Sequence, residues 1–130
     1  MTPSRRKVTT LTRKRAFETI KVIASAMLNG EVAITYSELA RRLALPNETG
    51  RGLGDVLDEA AAMCIERGLP DVSAVVVTKE SFARGAPMPS LDSFKDGEWP
   101  LTGLTLEDIP AEQDKVRLYD WRSVRELSLA

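Results

Sequence analysis

Apolar residues recur at three- and four-residue steps from Thr10 onward. Phe17, Ile20, Ile23, Ala24 and Met27 fall on one side of a helix that Asn29-Gly30 should end, because glycine accepts a left-handed C′ conformation. Val32-Ala33-Ile34 is a short β-prone run. Thr35-Tyr36-Ser37-Glu38 has the form of a capping box, with Thr35 as N-cap and Glu38 at N3. It predicts a short helix with Leu39, Ala40 and Leu43 inward, broken by Pro46 and Asn47. A third helix is expected from about Thr49 to Arg67. Leu53, Val56, Leu57, Ala60, Ala61, Cys64 and Ile65 would line its apolar side, and Gly68-Leu69-Pro70 would close it. Val72 to Thr78, rich in β-branched residues, is the strongest strand pattern in the chain.

Patterning weakens after that strand. Ser81 to Pro89 reads as a loop, and Asp96-Gly97 as a turn. Leu104 to Glu112 has room for one helical turn, Lys115 to Tyr119 alternates like a strand, and Trp121 to Leu127 suggests a last short helix. Residues 1–9 carry no periodicity and read as a disordered basic arm. The order is helix, short strand, short helix, longer helix, strand. It predicts an α+β, mainly α fold: one winged helix-turn-helix domain over 10–130, with its core in about 10–80, a small β wing and an irregular C-terminal extension over 81–130.

Composition narrows the chemistry. The 130 residues include no histidine and a single cysteine, Cys64. Ser-His-Asp and Cys-His catalysis are therefore absent in their usual forms, as are His- or Cys-rich zinc sites. Neither GxxxxGK[ST] nor GxGxxG occurs. The expectation is a non-enzyme without metal or cofactor. One cysteine forms no internal disulfide, no apolar stretch is long enough to span a bilayer, and no apolar signal core follows the basic N-terminus. These features predict a cytoplasmic protein with no membrane partner.

The formal net charge is −1, but it is unevenly placed. Arg5, Arg6, Lys7, Arg13, Lys14 and Arg15 precede the first acidic residue, residues 16–54 balance, and 55–71 hold five acids against Arg67. A basic arm can supply phosphate contacts on an acidic chain, or it can be a solvated tail.

The strings Thr35-Tyr36-Ser37-Glu38-Leu39-Ala40-Arg41-Arg42-Leu43 and Gly50-Arg51-Gly52-Leu53-Gly54-Asp55-Val56-Leu57 are similar to the DNA-binding domain of alkylguanine-DNA alkyltransferases and alkyltransferase-like proteins. The resemblance covers roughly residues 31–78, with one extra residue between the two blocks. It implies that Arg51 stands where the family's arginine fills the space left by an extruded base. Tyr36 would lie beside the DNA backbone, and Gly50, Gly52 and Gly54 would let the recognition helix approach closely. The family's chemistry is not implied. Where its Pro-Cys-His-Arg motif would fall, this chain reads Val77-Thr78-Lys79-Glu80. Cys64 sits instead on an apolar helix face, where a cysteine serves as a small hydrophobe.

Each residue has a second reading. Arg41, Arg42, Lys79 and Arg84 would meet phosphates, or they are ordinary solvated charges. The glycines would serve close approach to DNA, or close helix packing. Trp99, Tyr119 and Trp121 are expected to cover the core. Asp55, Asp58 and Glu59 would repel phosphates and so confine any DNA contact to the first turn of the third helix. The leading expectation is a DNA-binding protein working in regulation, repair or phage–host conflict. The alternative is a protein-interaction module (an inhibitor, immunity or regulatory factor) on the same scaffold, favoured by the acidic stretch 55–71.

Overall fold

The computed structural model describes residues 9–45 and 53–122. Helix α1 (Thr10–Leu28) starts on Thr9, whose Oγ1 accepts the Thr12 N–H at 3.0 Å, so Thr9 is an ordered cap and not part of the arm. Its inner face is the one its periodicity predicts: Phe17, Ile20, Ile23, Ala24 and Met27 are all buried. Strand β1 (Ile34–Thr35) runs directly into α2 (Tyr36–Arg42). Thr35 caps α2 through the Glu38 N–H, 3.2 Å away.

Helix α3 (Leu53–Glu66) lies against α1, placing Leu53, Val56, Ala60, Met63 and Cys64 in the core. Ile65, expected inward, is about half exposed, and Leu57 is only partly buried. The α1–α3 contact also holds an ion pair. The carboxylate of Glu59, 3% exposed, accepts from Arg13 Nη1 at 3.1 Å.

Residues 72–78 are not one strand. Val72–Val75 form a 3-10 turn, and only Val76–Val77 make β2. Asp71 is the cause: its Oδ1 accepts both the Ser73 N–H (3.0 Å) and the Ser73 hydroxyl (2.6 Å), which curls the backbone before it can extend. β2 pairs with β1 in parallel, Ile34 with Val76 and Thr35 with Val77.

Two further expectations are corrected. Part of the expected 81–89 loop is helical: Lys79–Ala83 form α4, capped by Thr78 Oγ1 on the Ser81 N–H at 3.1 Å. Lys115–Tyr119 is not a strand but runs through the end of α5 (Ile109–Leu118), whose buried residues Ile109, Gln113 and Val116 follow helical spacing. The alternation that suggested a strand rested partly on Leu118, which is 86% exposed. The helical turn expected over 104–112 is the 3-10 turn Leu106–Asp108 leading into α5.

The C-terminal segment is part of the core. Val116 and Trp121 belong to the same buried cluster as α1 and α3, and Trp121 Nε1 donates to the Val116 carbonyl. A second cluster joins Ala74, Trp99 and Ile109, with Phe94 stacked on Trp99 at 5.4 Å between ring centroids. Trp99 and Trp121 thus cover the interior as expected, whereas Tyr119 stays at the surface, tilted against Trp121. The described chain is α+β and mainly helical. None of its helices is long and apolar enough to cross a membrane.

Candidate functional site

Among the described residues, those expected to meet DNA do not form one open cationic face. On α2, Arg41 Nε donates to Glu38 Oε1 at 2.9 Å, and its Nη2 pairs with Glu38 Oε2. Arg42 Nε reaches the same carboxylate at 2.8 Å, while its two terminal nitrogens grip Glu31 at 3.1 and 2.8 Å. Two arginines and two acids thus make a neutral network. Hydrogen bonds from Arg41 and Arg42 hold the Glu38 carboxyl down at about 2. In the same way, Glu31 and Glu38 push the Arg42 guanidinium above its ordinary range. Glu38 therefore serves the arginines and not the Thr35 N–H, so half of the expected capping box is diverted.

On α4, Arg84 Nη1 pairs with Glu80 Oε1 at 3.1 Å, and Lys79 is exposed. Tyr36 points toward the C-terminal segment, where its hydroxyl accepts the Ser90 N–H at 2.8 Å. Burial raises its phenol above the ordinary value. Gly54 lies in the first turn of α3, and a Cβ built there would meet nothing within 4 Å. Its lack of a side chain therefore serves no packing within the described protein. Arg5, Arg6, Lys7, Gly50, Arg51 and Gly52 lie outside the described residues.

Cys64 is fully buried, and burial pushes its thiol up to about 12, so at neutral pH it is a protonated core residue. Among the described residues, no group of three or more acidic or thiol side chains is placed to hold a metal ion.

The structure adds a site that no motif announced. Between α2, α3 and the segment 93–102 lies a small recess open to solvent. Leu57 and Ala61 of α3 face Trp99, Pro100 and Leu101 across it, and Tyr36 and Asp71 supply polar groups. Asp71 is 4% exposed. Its Oδ1 holds the Ser73 turn, but its Oδ2 is buried without a hydrogen-bond partner. Burial pushes this carboxyl up to about 6 against the pull of the Ser73 bonds, helped by the negative charges of Glu112 and Asp58. Glu112 is already engaged, accepting the Asp71 N–H at 2.8 Å with Lys115 3.7 Å away. Sequence alone left this site hidden because its walls come from three segments, the last of which lacks periodicity. The one available signal was an aspartate just before an apolar run.

Comparison with family models, with curated proteins and with solved structures found no match to this chain.

Proposed function

We propose that the chain is a non-catalytic winged-helix module that binds duplex DNA with the first turn of α3 and the basic arm, not with α2. Gly54 carries this reading. A glycine in a helix forgoes stability relative to alanine, and here no atom of the described residues explains it. It lies two residues after Gly52 in the Gly50-Arg51-Gly52-Leu53-Gly54 block that resembles a recognition-helix start. Arg51 would enter the groove, with Arg5, Arg6 and Lys7 on phosphates. Arg41, Arg42 and Arg84 drop out of the contact set, because each would first have to leave a carboxylate. The exposed Asp55 and Asp58 keep the rest of α3 away from the backbone.

Three cations on phosphates imply a salt slope of roughly −3 in log K against log salt. Fluorescence anisotropy of a labelled duplex across a salt series measures it. Arg51→Ala should lower affinity at least tenfold without changing the fold. A flat salt response, or an Arg51→Ala protein that binds as tightly as the parent, overturns the reading. The pairing of the α2 arginines with acids, together with the exposed Ile65 and Leu118, favours the second reading, a protein-binding module.

A further inference from the structure

We propose that the recess between α2, α3 and the segment 93–102 is a binding site for a small amidinium or guanidinium group carried on an apolar or aromatic body, with Asp71 as its counter-ion. The site does not depend on DNA binding and lies on residues the DNA reading does not use, Tyr36 and Asp58 excepted.

Three observations converge on that chemistry. The first is Asp71 itself, a carboxylate that lines the recess while its Oδ2 finds no donor in the protein. A buried acceptor left unpaired costs free energy, and an N–H donor arriving from outside removes that cost. The second is the sign of the charge. Asp71 brings a carboxylate to the lining, and among the described lining residues there is no lysine or arginine. The third is its shape and surface. Leu57, Ala61, Trp99 and Leu101 form apolar walls of a small recess open to solvent, which would hold a flat group with part of its body outside. A planar cation is more weakly hydrated than an ammonium and loses less on entering such walls.

Benzamidine is a suitable probe, with benzamide as its neutral counterpart of nearly the same shape. Trp99 and Trp121 give two indole N–H signals in a ¹H–¹⁵N spectrum, and a Trp99→Phe protein assigns them. Benzamidine should shift the Trp99 signal saturably, with Kd below about 10 mM, a weak bound for a ligand of this size. Trp121, hydrogen-bonded inside the main core, should stay in place. Benzamide should bind at least tenfold more weakly.

Affinity should also fall several-fold from about pH 7.5 to about pH 5, as Asp71 takes up a proton. The groups facing Asp71 are Asp58 and Cys64 from α3, Glu112 with Lys115 from α5, Ser73 in its own turn and Tyr36 across the recess. Asp71→Asn keeps an oxygen for the Ser73 cap and should lose benzamidine at least tenfold. If that protein does not fold, the benzamide and pH arms on the parent still decide. Equal binding of the two probes, an unchanged affinity at low pH, or no saturable shift below about 10 mM overturns the proposal. A short arginine peptide run alongside separates two sources of the same chemistry. Tighter binding by the peptide assigns the site to a partner's arginine, and tighter binding by benzamidine assigns it to a free small molecule.

Discussion

Asp71 concentrates more physical tension than any other described side chain. One of its oxygens holds the turn that aims β2, and the other is buried and unpaired. Moving a carboxyl from 3.8 to about 6 means that ionising it in place costs roughly 3 kcal/mol. The folded-state value lies above the unfolded one. The associated stability is therefore complete below about pH 3.8 and is lost as pH rises through about 6. In Asp71→Asn that loss should vanish. We expect the variant to be more stable than the parent by about 1 kcal/mol near pH 8, the amide's own unpaired N–H offsetting part of the gain. Urea melts of both proteins between about pH 5 and pH 8 measure the difference. Glu38 works in the opposite direction, as an exposed carboxylate held at about 2 by Arg41 and Arg42. If α2 is kept from DNA only by that pairing, a Glu31→Gln, Glu38→Gln protein should bind duplex more tightly. Its salt slope should steepen by about 1 as the Arg42 guanidinium is released from both carboxylates.

Four helices end in the same way. After α1, α2, α3 and α4 a residue at positive φ turns the chain: Gly30, Ala44, Gly68 and Gly85. In each case the next N–H bonds back to the carbonyl five residues earlier, as in Glu31 to Ala26 and Leu45 to Ala40. Two of these stops, Gly30 and Gly68, were legible because glycine marks the end of a helix that periodicity had already announced; Gly85 was read as part of a loop, since α4 itself was not expected. The α2 stop was not, because alanine carries no such mark and the sequence pointed to Pro46 instead. Alanine at φ 56 is strained, so Ala44→Gly should stabilise the protein by about 0.5 to 1 kcal/mol in a thermal melt. Gly54→Ala should likewise add about 0.5 kcal/mol, since its Cβ meets nothing. If the first turn of α3 meets DNA closely, the same change weakens duplex binding. The faces of α1 and α3 were legible because Phe17, Ile20 and Ile23, and then Val56, Ala60 and Cys64, repeat at helical spacing. The turn at 72–75 was not, because four β-branched or small residues look extended until Asp71 pulls on them. The recess was hidden for a related reason, since an unpaired oxygen leaves no trace in a sequence pattern.

For the molecule as a whole, the segment after residue 81 decides more than its weak patterning suggests. It brings Trp121 and Val116 into the main core and builds one wall of the recess. Gln113 Nε2 joins α5 to the Ala74 and Pro87 carbonyls at 3.0 Å each, so α5 is bonded to the middle of the chain. Trp121→Ala should therefore cost about 3 to 5 kcal/mol, as expected of a core aromatic, and denaturant titration should find one cooperative transition. Survival of a folded 10–80 fragment with parent-like stability would contradict this. The parallel pairing of Ile34 with Val76 has a further consequence for how the protein is made. At roughly 5 to 20 residues per second, a ribosome needs about 2 to 8 seconds to deliver the second strand after the first. Trp121 follows later still. Until then the nascent chain displays the apolar sides of α1 and α2 without their final cover, so the greasy surface of this small protein is most open to chaperones, or to a neighbouring copy, while it is still tethered to the ribosome.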